Sequence, residues 1–111
     1  MPRIVNCTSI KGVVTEESGS KGLVYRQVLD KKDGYTYGVT CNDVMPGGNT
    51  KDHLHLGIHI TYVLKGLGEL RVSDTEVLPI KAGDLVYIGP NERHCFYNTG
   101  DEIMVLIGLQ E

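Results

Sequence analysis

Three of the four histidines in this chain lie within seven residues of one another, and imidazole is a common metal ligand in proteins. His53, His55 and His59 belong to the stretch 47–66, whereas His94 lies far downstream. In a strand, side chains two residues apart share a face and are about 6.6 to 6.8 Å apart along the chain. A strand that curls inside a barrel therefore offers His53 and His55 to one ion, which holds imidazole nitrogen at about 2.0 to 2.1 Å. The spacing predicts a metal site, with His59 as a candidate third ligand, if the other elements build a barrel.

Short runs of strand-forming residues recur about every ten residues, separated by turn residues. The run 23–30, the turn 31–34 and the run 35–45 predict a hairpin. We also expect a short strand over residues 3–10 and a break in the chain at residues 46–48, where proline is followed by two glycines. No stretch has the 3.6-residue apolar period of an amphipathic helix. The pattern predicts an all-β sandwich or barrel.

Composition and charge exclude several classes of function. The 111 residues fit one domain, which we divide into an N-terminal strand and loop (1–22) and a barrel (23–111). With 11 basic and 14 acidic residues, a net charge of -3 and no run of Lys or Arg, the chain lacks the basic patch of a nucleic-acid-binding protein. No apolar run approaches the roughly 20 residues that span a bilayer, and the N-terminus has no secretion signal, so we expect a cytoplasmic protein without a membrane partner. Three widely spaced cysteines predict buried thiols rather than disulfides.

The histidines and glycines resemble the two sequence motifs of small single-domain cupins. The first motif runs from Gly47 over five residues to His53-Leu54-His55, over three residues to His59 and over six residues to Gly66. The second has Gly83, then Gly89 after five residues, Asn91, His94 and, after three residues, Asn98. Gly89 stands where the family usually has proline, and Asn91 stands where it usually has glycine. Asparagine tolerates the left-handed backbone that glycine would supply, so we expect the turn to survive. The resemblance covers residues 23–109 and implies a double-stranded β-helix, or jelly-roll barrel, with a metal inside.

All four histidines fall on the positions that ligate metal in this family. The resemblance therefore implies that His53, His55, His59 and His94 hold one divalent transition metal: iron, manganese, nickel, copper or zinc, among which imidazole ligands alone do not choose. His59 occupies a position that usually carries an acidic residue. The ligand set is then neutral, the ion keeps its full charge, and an anionic partner is favoured. The alternative for His59 is a histidine that does not ligate and instead hydrogen-bonds a bound water.

Strand parity suggests which residues line the cavity. If His94 points inward, Phe96 points inward too, and Cys95 and Tyr97 point away. Phe96 is therefore our candidate for an apolar wall beside the metal. Arg26, between apolar neighbours, is a candidate clamp for an anionic substrate, the alternative being an edge-strand arginine in water. One of four tyrosines, Tyr25, Tyr35, Tyr37 and Tyr62, is expected to offer its hydroxyl to the pocket, and the others to pack.

Three functional hypotheses follow. The first is a metal-dependent, dioxygenase-type enzyme that acts on a small, enolisable or unsaturated anionic compound. The second is a redox-neutral isomerase, lyase or decarboxylase acting on a sugar acid or keto acid. The third is a binding module for a carboxylate or a sugar, in which the metal only anchors the ligand. The resemblance also implies a homodimer, in which the N-terminal strand is expected to pass between protomers.

Overall fold

Ten β-strands and two single-turn 3-10 helices make up the part of the chain that the computed structural model describes, residues 2–15 and 19–111. The strands are β1 (Val13–Thr15), β2 (Lys21–Tyr25), β3 (Gln27–Leu29), β4 (Gly38–Asn49), β5 (His59–Lys65), β6 (Leu67–Val72), β7 (Glu76–Lys81), β8 (Leu85–Ile88), β9 (His94–Asn98) and β10 (Met104–Gln110). The 3-10 helices are Cys7–Ser9 and Lys31–Asp33. Neither helix has the length or apolar character needed to cross a membrane, and the described part of the chain contains no other.

The strands form one curled antiparallel sheet in the order β7-β6-β9-β4-β10-β5-β8, with β2 and β3 also paired to β4 and β1 paired to β2. Strands β4 and β10 are the long central pair, in register from Gly38 opposite Gln110 to Val44 opposite Met104. Because the sheet curls, alternate side chains of most strands meet inside it. This architecture confirms the predicted all-β, jelly-roll barrel.

The buried core takes one or two residues from each of eight strands. It consists of Leu23, Val44, Val63, Leu70, Ile80, Val86, Ile88, Phe96, Met104 and Leu106. The predicted hairpin is confirmed, because Gln27 and Leu29 of β3 pair with Thr40 and Val39 of β4 across the second 3-10 helix. Gly34 ends that helix with φ at 94°, a left-handed conformation that suits glycine.

The strand predicted over residues 3–10 is wrong. This segment contains the 3-10 helix Cys7–Ser9, which Asn6 caps by accepting a hydrogen bond from the backbone N–H of Thr8. Asn6 competes with strand pairing by binding its own local backbone. The N-terminal strand is instead β1, which pairs with β2 and so joins the N-terminal segment to the barrel. The dimer contact assigned to residues 1–22 stays a prediction.

The break predicted at residues 46–48 is also wrong, because β4 continues through Pro46 to Asn49. The partner strand β2 accommodates the proline by a shift of register: Leu23 pairs with Val44, but Lys21 pairs with Asn49. Such a bulge leaves the residues around Pro46 outside the regular ladder, where a missing N–H costs little. The uninterrupted strand leads the chain directly to the histidine-bearing loop.

Candidate metal centre

The structure brings all four histidines to one region inside the curled sheet, although not on the elements predicted for two of them. His53 and His55 lie in the loop between β4 and β5 rather than in a strand. His53 forms an isolated antiparallel bridge with His94, with hydrogen bonds of 3.1 and 2.9 Å between their backbones. His59 is the first residue of β5 and His94 the first of β9. The bridge between His53 and His94 therefore holds the first sequence motif beside the second.

The rings of His53, His55 and His94 form a tight cluster. Their centroids are 4.4 Å apart for His53 and His55, 5.0 Å for His53 and His94, and 5.3 Å for His55 and His94. One ring nitrogen from each lies within 4.8 Å of the others. Nitrogens bound to one ion at about 2.1 Å are at most about 4.2 Å apart, so small side-chain rotations suffice to close the cluster on a metal.

Hydrogen bonds determine which nitrogens face the cluster. Nδ1 of His94 lies 2.9 Å from the backbone carbonyl of Glu92, and Nδ1 of His53 contacts the carbonyl of Lys51. A carbonyl only accepts, so both Nδ1 atoms carry the proton and both Nε2 atoms keep a lone pair, which in His94 faces Nδ1 of His59 at 3.3 Å. Within residues 2–15 and 19–111, Nε2 of His55 is buried without a hydrogen-bond partner. A buried polar atom without a partner is unfavourable, and a metal ion would satisfy it. The donor set therefore fits a divalent transition metal.

His59 lies outside the group of three, but close to it. Its ring centroid is 4.9 Å from that of His55 and 5.4 Å from that of His94, and its Nδ1 is 3.3 Å from Nε2 of His94. The four histidines predicted from the sequence are thus together in space. Direct ligation by each of them stays a prediction.

Burial keeps these imidazoles neutral. Desolvation, with smaller contributions from neighbouring histidines, lowers the pKa of His55 from its ordinary 6.5 to about 4 and that of His59 to about 3. The pKa of His94 is also lowered, mainly by burial, although its hydrogen bond to the Glu92 carbonyl opposes the shift. At pH 7 the nitrogen lone pairs of these rings are therefore available to a metal without first losing a proton.

A cavity of about 280 Å³ adjoins the histidines. Its wall combines hydroxyls, amides and apolar side chains, namely Thr15, Leu23, Tyr25, Thr40, Asn42, Thr50, Lys51, His53, His59, Thr61, Phe96, Leu106, Gly108 and Gln110. Phe96 lies in this wall as predicted, with its ring centroid 6.1 Å from that of His94. Of the four candidate tyrosines, Tyr25 lines the cavity, and its hydroxyl donates to the side-chain oxygen of Gln27. Tyr97 confirms the strand parity in β9, because its ring lies on the other face of the strand. There the guanidinium carbon of Arg71 lies over the ring, 3.6 Å from the ring centroid.

The placement of Arg26 in the cavity is wrong, and so is the alternative of an arginine in water. Its side chain is 13% exposed and forms an ion pair of 2.9 Å with Asp43. Its Nε also donates to the backbone carbonyl of Ile10 in the N-terminal segment. Asn42 of β4 lines the cavity, and Asp43 is the next residue. Since successive side chains of a strand point to opposite faces, Asp43 points to the outer face of the sheet, and Arg26 is paired with it there. Arg26 therefore fastens the N-terminal segment to the barrel.

Sequence reasoning missed several residues of the cavity wall, namely Thr40, Asn42, Lys51, Thr61 and Gly108. Two of these were within reach of a parity argument. Thr61 follows His59 by two residues and Lys51 precedes His53 by two, so each shares a face with a candidate ligand wherever the backbone is extended. The spacing from a histidine does not identify Thr40 or Gly108, because these residues reach the cavity only through the pairing of β4 and β10.

The motif glycines occupy the backbone conformations that their positions require. Gly47, Gly66 and Gly83 have φ of 78°, 91° and 95°. Asn91 has φ of 63°, so the asparagine does take the left-handed conformation predicted for it. The turn before His94 therefore survives the loss of the glycine.

Comparison with known proteins places these features in a family. No curated protein matches the chain. The solved structures similar to it include the polyketide cyclase RemF from Streptomyces resistomycificus, at 27% identity and a TM-score of 0.86, over 99% of this chain and 79% of that chain. A predicted oxalate decarboxylase from Thermotoga maritima is 25% identical, with a TM-score of 0.87 and coverage of 97% of both chains. A cupin-like protein from the same organism is 26% identical, with a TM-score of 0.82, over 90% of this chain and 77% of that one. The cupin-domain model matches residues 42–109, which include every histidine and most of the cavity wall, and the chain therefore belongs to the cupin family.

Proposed function

We propose that this protein is a metal-dependent enzyme that converts a small, enolisable anionic compound without net oxidation. The observation that carries the proposal is the composition of the cavity beside the histidine cluster. None of its fourteen lining residues, all within the described part of the chain, is acidic. A cavity of about 280 Å³ is slightly below the range of typical drug-sized ligand pockets, so a small substrate is expected.

The side chains that line the cavity have different roles in binding the substrate. Thr40 and Asn42 supply a hydroxyl and an amide that recognise carbonyl or hydroxyl oxygens. Leu23 and Leu106, together with Phe96, provide an apolar wall that keeps bulk water from the reacting group.

A divalent metal held by His53, His55 and His94, with His59 close by, would supply a Lewis acid that polarises an oxygen of the substrate. The neutral imidazoles do not offset its charge, so the site as a whole favours an anion. Among the lining residues in the described part of the chain, no carboxylate is present to act as a general base. The reaction that fits this wall starts from a substrate that is already ionised, or that ionises when its oxygen is polarised.

The similar structures support the redox-neutral form of this chemistry. One is a polyketide cyclase and another a predicted oxalate decarboxylase, and both cover nearly all of this chain at 25% identity or more. Polyketides contain neighbouring carbonyl groups and oxalate contains neighbouring carboxylates, so both compounds can offer two oxygens to one metal. We therefore place cyclisation, lyase or decarboxylase chemistry on a keto acid or 1,3-dicarbonyl compound first.

A dioxygenase is the second candidate, and the apolar wall around Phe96 favours it, because reactive oxygen species need a site from which water is excluded. The two candidates differ in the metal, since zinc does not take part in redox chemistry. They also differ in oxygen consumption. A binding module would show neither oxygen consumption nor product.

The test begins with elemental analysis of protein purified without a histidine tag. The protein is then mixed with pentane-2,4-dione or oxaloacetate, with and without air, while oxygen uptake and products are followed by an oxygen electrode and by NMR. Product formation at the same rate without oxygen is the expected result. Uptake of oxygen in proportion to substrate loss would select the dioxygenase, and binding without any product in either atmosphere would select the binding module. The His94→Ala variant controls for spontaneous reaction.

A further inference from the structure

His59 is oriented differently from the other histidines of the cluster. His53 and His94 direct Nδ1 to the backbone carbonyls of Lys51 and Glu92 and therefore present Nε2. His59 does the opposite: its Nδ1 points to the cluster, 3.3 Å from Nε2 of His94. Its Nε2 points to the wall of the cavity, 3.3 Å from the hydroxyl oxygen of Thr61.

We infer that Thr61 is a positioning residue that makes His59 a metal ligand through Nδ1, and that Gly108 provides the space this orientation needs. The inference deepens the proposed function and rests on its metal. Thr61 is two residues beyond His59 on β5, on the same face, and is 2% exposed. Without a metal, Nδ1 of His59 donates to the lone pair on Nε2 of His94; a bound metal would take both lone pairs, and the single proton of the neutral His59 ring would then lie on Nε2, where the Thr61 hydroxyl accepts it. Nδ1 would then carry the lone pair on the side of His94, whose Nε2 is 3.3 Å away.

Gly108 lies directly beside this pair. In the sheet it is opposite Thr61 on one side and Thr40 on the other. A methyl group at position 108 would stand 3.1 Å from Nε2 of His59 and 2.8 Å from the hydroxyl oxygen of Thr40. Both separations are tighter than ordinary van der Waals contact, and His59 is itself buried, so its ring has little room to move away. A side chain at this position would push the imidazole out of line with Thr61.

The geometry also accounts for the exchange of an acidic residue for histidine at position 59. An imidazole has to be held by its second nitrogen if its first is to face the metal. Thr61 supplies the acceptor and Gly108 the volume, and both are contributed by the two strands that meet at His59, β5 and β10. The orientation of His59 therefore depends on both Thr61 and Gly108.

The test uses zinc, which is diamagnetic, and long-range ¹H–¹⁵N NMR spectra of the histidine rings. In the wild-type protein loaded with one equivalent of zinc, we expect the His59 Nδ1 resonance to move to the metal-bound range while Nε2 stays protonated. The Thr61→Val variant keeps the shape of the side chain but loses the hydroxyl. It should bind zinc about tenfold to a hundredfold more weakly, and its His59 resonances should show exchange between tautomers. The Thr61→Ser variant keeps the hydroxyl and should restore the affinity and the single tautomer.

Gly108→Ala should weaken zinc binding in the same way, and Gly38→Ala is its matched control. Gly38 is also in a strand, and a methyl group there meets nothing closer than 3.7 Å. The inference is overturned if zinc-loaded wild-type protein shows Nε2 of His59 in the metal-bound range, or if Thr61→Val binds zinc as tightly as the wild type. It is overturned together with the proposed function if the wild-type protein binds no zinc, whereas stoichiometric zinc with a free His59 ring would refute this inference alone.

Discussion

The metal-free protein should lose stability between pH 7 and pH 5 because of its buried histidines. Burial lowers the pKa of His59 to about 3, against 6.5 for an ordinary histidine. As the pH falls below 6.5, the unfolded chain therefore takes up a proton that the folded chain refuses, and the stability present above that pH is progressively lost down to about pH 3. For His59 alone the loss between pH 7 and pH 5 is about 2 kcal/mol. His55 and His94 change stability in the same direction.

Urea denaturation of protein freed of metal with a chelator measures this loss. A change of about 2 kcal/mol lowers the urea midpoint by about 1 to 2 M for a domain of this size. Carboxylates contribute little above pH 5, because their ordinary pKa is about 4. The His59→Asn variant, which has no titrating ring at this position, should lose a large part of the pH dependence. Equal midpoints for the wild type at pH 7 and pH 5, or an undiminished shift in the variant, would refute the argument.

Three further predictions concern the metal, the cavity wall and assembly. The His53→Ala and His94→Ala variants should each lose most of the bound metal in elemental analysis, and either one retaining full stoichiometry would remove that residue from the ligand set. Phe96 is 3% exposed, so Phe96→Ala should lower the free energy of unfolding by about 3 to 5 kcal/mol, and a loss below about 1 kcal/mol would show that the wall is not part of the core. We propose a homodimer formed through the outer sheet face where Leu85 and Tyr87 are 68% and 62% exposed. Light scattering should give twice the chain mass, and Leu85→Glu should give a monomer; a monomeric wild type would contradict the proposal.

Local patterns in the sequence predicted the strands well, because the alternation of side chains within one short segment is enough to indicate a half-buried strand. Alternation of side chains placed His94 and Phe96 on one face and Tyr97 on the other, as observed. Glycine and asparagine also marked positions where φ is positive, although the Pro46-Gly47-Gly48 stretch did not end β4 as predicted. Asn91 demonstrates this directly with φ of 63°.

The errors arose where pairing with a distant segment overrides a local preference. Pro46 breaks a strand in isolation, but a shift of register in the neighbouring β2 lets β4 pass through it. The apolar neighbours of Arg26 gave no information about which face of the sheet would be the inner one. That choice is made by β4, whose Asp43 takes the guanidinium on the outside. Residues 3–10 contain strand formers, yet Asn6 caps a 3-10 helix there by a bond to its own backbone.

The same distinction between local and distant determinants applies inside the metal centre. The positions of the histidines in the sequence identify the candidate ligands, but the nitrogen that each ring presents depends on what lies behind it. For His53 and His94 that partner is a carbonyl two residues earlier in the chain, so it is local. For His59 it is the hydroxyl of Thr61, also local, but the room for the ring comes from Gly108, nearly fifty residues away and adjacent only because β10 pairs with β5. If the inference holds, other chains with histidine at the acidic position and Nδ1 turned to the metal should carry a partner for Nε2, such as a hydroxyl two residues later, and a small residue on the paired strand.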